Sequence, residues 1–399
     1  MATERIEFTN AKGVALAGAL ELPPGRVRGA ALFAHCFTCT KQSRAATRIT
    51  RALAQIGIAT LRFDFTGLGG SDGDFAHGGF ASDVGDVISG AAFLEERFGE
   101  GVLLIGHSLG GAAVLAAAQH VSHVHAVATI GAPSDVPHVL EQFSGDLAAI
   151  ERDGEGDVEI AGRPFRIGRS FIESVRGADV LSAVRAMKQP LLIMHAPTDE
   201  VVSVDHARKL YEAAFHPKSF VSLDDADHLM VRDRDAVYAA SVIAAWAERY
   251  LPAAEPRAPE EGVLAEMGHG KFGTQLYAGS HAWVADEPKS YGGEDLGPTP
   301  YDMLNAALAT CTVMTMKMYA DRKKLPLTRA EVIVTHERNH ADDCEQVMEE
   351  DDMPTQALYK QIRLGGDLTA EQHAKLLEIA EKCPVNRTLK GKLHIHMKE

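Results

Sequence analysis

The sequence predicts an α/β fold, a mostly parallel sheet with helices on both faces, followed by a smaller α+β domain. Three observations carry this. Over residues 1–250, apolar strands near 30–35, 58–63, 102–106, 124–130, 190–195 and 218–223 alternate with helical stretches such as Ala45–Ile56, Asp83–Arg97 and Leu109–Gln119. Such alternation is the pattern of strand–helix–strand units that build a parallel sheet. The rhythm then stops at Leu251–Glu261, where Pro252, Pro256 and Pro259 among Ala and Glu read as a semi-rigid linker over 251–262. Beyond it, over 263–399, strands group before and after helices, which is an α+β arrangement. A length of 399 residues also exceeds one ordinary core.

Composition narrows the partners. The chain is 46% hydrophobic, ample for globular packing, and carries a formal charge of −15. That charge repels nucleic acid and anionic membrane surfaces, so neither is expected as a partner. The least charged long run, Gly101–Ala118, reaches the length of a membrane span. It reads instead as a strand and a helix divided by glycines and a serine. The N-terminus leads into polar sequence, with no apolar signal region. The five cysteines are odd in number and irregularly spaced, unlike a secreted disulfide framework. Cytoplasmic residence is the resulting expectation.

Taking the elements in order, the first with chemistry is Ala30–Ala34 and its loop His35-Cys36-Phe37-Thr38-Cys39. Cys36 stands after the histidine, where glycine is usual in loops that bind an oxyanion. The Cys-x-x-Cys spacing is read as part of that loop rather than as a redox or metal motif. The next strand ends in Arg62-Phe63-Asp64, followed by a glycine-rich loop without a phosphate-binding lysine; Asp64 reads as a loop brace. Then comes Val102-Leu103-Leu104-Ile105-Gly106-His107-Ser108-Leu109-Gly110. Gly-x-Ser-x-Gly between an apolar strand and an Ala-rich helix is a nucleophile elbow, which lifts the Ser108 hydroxyl out of the sheet.

A serine needs a base, and the base needs an orienting acid. The strand Leu191–His195 is followed by Asp199, and the strand Ser219–Leu223 by His228. The order Ser, Asp, His is that of α/β-hydrolases. Ser108 is therefore expected as nucleophile, His228 as general base and then acid, and Asp199 as the group fixing the imidazole tautomer. The oxyanion donors are expected at the backbone N–H groups of Leu109 and Phe37. Between the last two strand pairs, about 134–183 interrupts the rhythm with glycines among charges and is expected to form a lid. His120, His123 and His125 read as solvated positions.

In the second domain, strand-like alternation fills 263–286, a helix runs from Tyr301 to about Arg322, and strands lie near 329–336 and 359–364. A helix over Ala370–Lys382 and a last strand over Lys392–His396 complete it. Cys311 lies in the long apolar helix. Cys383 precedes Pro384, which suits the first turn of a new helix with Cys383 near its N-cap, a position that favours a thiolate. His336, His340 and Cys344 have metal-like spacing but read as a solvated loop, and no zinc motif is complete. No cofactor or metal is expected.

The first 250 residues resemble α/β-hydrolases through the elbow and the triad order. The segments Asp286-Glu287-Pro288, Gly292-Gly293, Gly297–Leu304, Ala309-Thr310-Cys311-Thr312 and Cys383–Leu389 resemble the OsmC/Ohr family. Together the chain is similar to bifunctional α/β-hydrolase/OsmC fusions. The hydrolase resemblance implies cleavage of a small-molecule ester. The OsmC resemblance implies an intertwined homodimer with sites at the subunit interface. It also implies reduction of an organic hydroperoxide by a thiol reductant, Cys311 being peroxidatic and Cys383 resolving. Peroxidases of that family also use a glutamate on the cysteine helix and an arginine near the domain start. Here Asp302 takes the glutamate's place, and Met267–Gly273 holds Lys271 and no arginine, which is not an equivalent bidentate donor. This leaves open a domain that chiefly dimerises the enzyme and shapes its substrate range.

Overall fold

The computed structural model describes residues 2–37, 39–99, 101–160, 163–252, 258–338 and 356–397. Thr38, part of the linker (253–257), His340 and Cys344 lie outside the described residues. The chain divides into two compact units, Met1–Val284 and Ala285–Glu399.

The first unit begins with β1 (Ala2–Thr9) and β2 (Ala15–Leu22), an antiparallel pair. These two strands escape the sequence reading because β1 alternates charged and apolar residues and buries only one face, as an outer strand does. Next come β3 (Gly29–Ala34), α1 (Arg44–Gln55), β4 (Ile58–Phe63), α2 (Phe80–Phe98), β5 (Val102–His107), α3 (Leu109–Ala117) and β6 (Val124–Ile130). An insertion follows, with β7 (Phe143–Ser144), α4 (Leu147–Asp153), β8 (Glu155–Ile160), β9 (Arg163–Gly168), α5 (Arg169–Arg176) and α6 (Val180–Ala186). The main fold resumes with β10 (Leu191–His195), α7 (Asp205–Ala213), β11 (Lys218–Ser222) and α8 (Asp233–Ala247).

One eight-stranded sheet runs β1-β2-β4-β3-β5-β6-β10-β11. All pairs from β4 onward are parallel. Every residue of β3, β4, β5 and β10 is buried, as expected for central strands covered on both faces. One face packs on α2, α3, α6 and α7, including Val87, Leu94, Val184 and Leu210. The other packs on α1 and α8, including Ile49, Leu53 and Ile243. The low-charge run 101–118 is β5 plus α3, a fully internal strand–helix pair. Among the described residues, no helix is long and apolar enough to cross a membrane. The insertion's β7, β8 and β9 form their own antiparallel sheet.

A small sheet of β12 (Leu264–Met267), β13 (Thr274–Ala278) and β14 (His281–Ala285) comes next. The second unit holds α9 (Pro300–Lys323), β15 (Leu327–Arg338), β16 (Gln356–Gly366), α10 (Ala370–Ala380) and α11 (Pro384–Lys390). Its core is small: Met316 and Ala320 of α9 against Leu376 and Ala380 of α10. α9 starts at a capping box, in which Thr299 and Asp302 satisfy each other's backbone N–H. The strand expected at Lys392–His396 is not formed. Its apolar residues Leu393 and Ile395 are exposed, and no strand among the described residues pairs with it, so its alternation has no buried face.

Candidate active site

Ser108 sits between β5 and α3 with φ at +55°, a strained value for a serine. The turn closes this tightly because Gly106 has no side chain: a Cβ there would lie 2.3 Å from the Gly110 carbonyl oxygen. Asp199 follows β10 and His228 follows β11, so parallel strands deliver all three groups to the same end of the sheet.

The three close into a relay. His228 Nε2 lies 2.9 Å from Ser108 Oγ, and His228 Nδ1 lies 2.7 Å from Asp199 Oδ2. Asp199 Oδ1 accepts the N–H groups of Val201 and Val202, both at 2.9 Å. Burial alone would raise the Asp199 carboxyl, but the His228 hydrogen bond and the Val202 and Val201 N–H groups outweigh it and hold it below the usual range. An ionised Asp199 accepts from Nδ1–H, which leaves the Nε2 lone pair facing the serine proton.

Two histidines unassigned from sequence support this arrangement. His107 is buried beside His228, with ring centroids 5.4 Å apart, and its Nε2–H donates to the His228 carbonyl at 2.7 Å. Burial, then the neighbouring His228, lowers the His107 pKa to about 4. It is a neutral positioning group for the backbone of the base. His195 ends β10 and donates Nε2–H to the Val202 carbonyl at 2.7 Å, bracing the Asp199 loop. The available signal was that each ends an otherwise apolar strand.

Leu109 and Phe37 line one crevice beside Ser108. Leu109 opens α3, where first-turn N–H groups have no partner within the helix. The Phe37 loop holds a finding contrary to its sequence reading: Cys36 and Cys39 are joined by a disulfide. The turn in which Cys39 N–H donates to the Cys36 carbonyl brings their Cα atoms to 5.3 Å, inside disulfide range. Asp64 is the expected brace: its carboxylate accepts Lys41 N–H at 2.7 Å and Gly70 N–H at 2.9 Å, and pairs with the Lys41 ammonium. The insertion reaches the same loop, with Phe143 stacked on Phe37 at 5.8 Å and Phe171 tilted against it at 6.1 Å.

In the second unit Cys311 and Cys383 are free. Cys383 caps α11, its sulfur accepting Asn386 N–H at 3.3 Å. Burial raises the Cys383 thiol, but the Asn386 N–H, the Thr312 and Cys311 side chains and the Lys360 charge together hold it below its ordinary value. The contacts that favour a thiolate therefore lie on Cys383, the sulfur assigned as resolving. Asp302 is placed elsewhere: its carboxylate accepts the Thr299 N–H and hydroxyl at 3.0 and 2.7 Å. It precedes Cys311 by nine positions along α9, about 13.5 Å along the axis. Among the described residues, no group of three His, Cys, Asp or Glu could hold a metal.

Fold and site together define an esterase-like α/β-hydrolase, with a parallel sheet and a strand–turn–helix elbow at Ser108. Residues 25–151 match the serine aminopeptidase S33 family, and residues 292–398 match OsmC-like protein. A solved esterase domain of a Rhodothermus marinus protein is 45% identical, with a TM-score of 0.52, and covers 63% of this chain and 99% of that one. The mitochondrial palmitoyl-protein thioesterase ABHD10 of Rattus norvegicus is 26% identical over 51% of this chain and 70% of its own length. The Escherichia coli O157:H7 protein YfhR is 25% identical over 42% of this chain and 52% of its own. The chain spans about half the length of that last relative. The chain belongs to the α/β-hydrolase family and carries an OsmC-like domain after its hydrolase.

Proposed function

We propose that the protein cleaves carboxylic esters of small molecules through an acyl-enzyme on Ser108. The observation that carries this is the unbroken Ser108–His228–Asp199 relay. His228 takes the Ser108 proton as Oγ attacks the ester carbonyl. The oxyanion develops against the N–H groups of Leu109 and Phe37. His228 then gives its proton to the departing alkoxide. Water, activated by the same imidazole, releases the acid and restores Ser108. The likeness to an esterase domain and to a thioesterase supports an ester or thioester bond. Turnover of a p-nitrophenyl acylate should disappear in Ser108→Ala; undiminished turnover sinks the proposal.

A second activity is favoured by one observation, the lowered pKa of the Cys383 thiol, to which the Cys311 side chain contributes. In this reading one thiolate attacks the peroxide oxygen, releasing the alcohol and leaving a sulfenic acid. The other thiol condenses with it to a disulfide and water, and a dithiol reductant restores both. Equal cumene hydroperoxide consumption by wild type and Cys311→Ser dismisses it. A homodimer through this unit belongs to the same proposal, supported by the exposed apolar residues Met314 and Met318 of α9 and Ile333 of β15. A monomer in sedimentation would remove it. Cytoplasmic residence is also proposed: the free thiols Cys311 and Cys383 among the described residues support it, and the Cys36–Cys39 disulfide weighs against it.

A further inference from the structure

β16 alternates: Leu358, Lys360, Ile362 and Leu364 lie on its covered face, while Tyr359, Gln361 and Arg363 are exposed. Ile362 and Leu364 pack against the small core of α9 and α10. Lys360 is thus a lysine in an apolar row, its side chain only 10% exposed. An ammonium placed there is costly unless it is paired. It reaches Glu381 Oε1 at 2.7 Å, Asn386 Oδ1 at 3.3 Å and the Ala380 carbonyl at 3.4 Å. Glu381 does not cancel its charge, because Glu381 Oε2 also pairs with Lys390 at 2.8 Å. Two lysines share one carboxylate, and the cluster keeps one positive charge. Asn386 joins this cluster to a sulfur. It is buried, its Nδ2–H donates to the Glu381 carbonyl at 2.8 Å, and its backbone N–H donates to Cys383 Sγ at 3.3 Å.

We propose that Lys360 is the positioning residue of the thiol site: it fixes Asn386 against Cys383, and its charge balances a Cys383 thiolate. The assignment deepens the thiol chemistry proposed above and rests on it. Helix capping alone asks for neither residue. Ser, Thr, Asp and Asn are the usual caps, and a lysine can bind the last carbonyls of a helix from the surface. From α9, the Thr312 hydroxyl lies 3.6 Å from Sγ and the Cys311 side chain also contributes. Burial opposes a thiolate at Cys383; the Asn386 N–H, the Thr312 and Cys311 side chains and the Lys360 charge favour it. The arginine missing from Met267–Gly273 thus has a counterpart on another element, and that counterpart serves the second sulfur.

The test reads the thiol apart from turnover. The parent is the full chain with Cys311→Ser and Cys344→Ser, its Cys36–Cys39 bridge intact, and Cys383 is titrated by ultraviolet thiolate absorbance. Adding Lys360→Met should raise the titration midpoint by about one pH unit, the effect of removing one opposite charge. Lys360→Arg keeps the charge and should leave the midpoint near the parent's. Glu381→Gln removes the carboxylate that competes for Lys360 and should lower it. A lysine that only ties β16 to α10 would lower the thermal midpoint in Lys360→Met without moving the titration, and that result overturns the assignment. A rise in Lys360→Arg equal to that in Lys360→Met also overturns it. Should Lys360→Met not fold, a Glu381→Gln midpoint at or above the parent's overturns it instead. Cumene hydroperoxide consumption by wild type is read separately. A Lys360-dependent titration without peroxide consumption would refute the reductase and leave the role of Lys360 standing.

Discussion

Asp199→Asn tests the relay at its least obvious joint. The carboxylate serves two masters. Oδ1 accepts two backbone N–H groups, from Val201 and Val202, and Oδ2 accepts Nδ1–H of His228 at 2.7 Å. An asparagine can keep the two backbone bonds only by placing its carbonyl oxygen at the Oδ1 position. Its amide NH₂ then faces His228 Nδ1. The alternative orientation sets NH₂ against both N–H groups, leaving the buried Val202 N–H unpaired at about 1–3 kcal/mol. The first orientation wins, Nδ1 becomes an acceptor, and the imidazole proton moves to Nε2. That nitrogen lies 2.9 Å from Ser108 Oγ and can no longer take its proton. A triad with this wrong tautomer loses about ten-thousandfold in kcat, ~5.5 kcal/mol of barrier. Since the backbone bonds persist, KM and the thermal midpoint should move little. The assay is kcat on a p-nitrophenyl acylate at saturation. A variant within about tenfold of wild type in kcat would refute the tautomer argument.

Three further outcomes follow from the same geometry. His107 is buried with a pKa lowered from 6.5 to about 4, so between these values the unfolded chain binds the extra proton. Stability therefore falls as pH drops through that window, by about 3 kcal/mol in all. His107→Gln, which keeps a donor for the His228 carbonyl, should flatten the acid limb of a urea-midpoint profile; an unchanged slope refutes the assignment. Replacing both Cys36 and Cys39 by serine opens a four-residue ring, and loop entropy puts the loss near ~2 kcal/mol. Because Phe37 lies inside that ring, kcat should fall also, by at most the ~1,000-fold of one lost oxyanion donor; kcat and midpoint both unmoved would refute the staple. In Cys311→Ser/Cys344→Ser, the Cys383 thiol should titrate below an ordinary cysteine, read from ultraviolet thiolate absorbance. A midpoint at or above the ordinary value refutes it.

The parallel sheet and triad were legible because their signals are local. Four strands are buried on both faces and read as short, mostly apolar runs, and the glycines around Ser108 mark the elbow. What stayed hidden depends on partners distant in sequence. β1 is half-polar, and β2, rich in Ala and Gly, pairs with it across a turn before joining β4. His107 acquires a role only through a carbonyl 121 residues away. The Lys392–His396 segment shows the reverse error, a strand-like alternation without a neighbour to make it a strand. The Cys36–Cys39 bridge was in plain view at short spacing, and the reading failed by treating the loop's catalytic place as excluding a covalent one.

The two proposed oxyanion donors lie on separate loops, and their spacing must be set by something stiffer than either loop. Gly110 supplies it. A Cβ on Gly110 would lie 2.4 Å from both the Ala34 and His35 carbonyl oxygens, so the first turn of α3 rests directly on the end of β3. Leu109 is thereby held against the segment that continues into Phe37. From the far side, the Asp64 carboxylate holds Lys41 N–H, and Arg62 Nε donates to the Lys41 carbonyl at 2.8 Å. The disulfide closes the arc between these anchors. A loop free to move would lose the preorganisation on which oxyanion stabilisation depends. The second glycine of the elbow thus does more than permit a sharp turn. It lets α3 rest against the Ala34 and His35 carbonyls, and a side chain there would push Leu109 away from the segment that continues into Phe37.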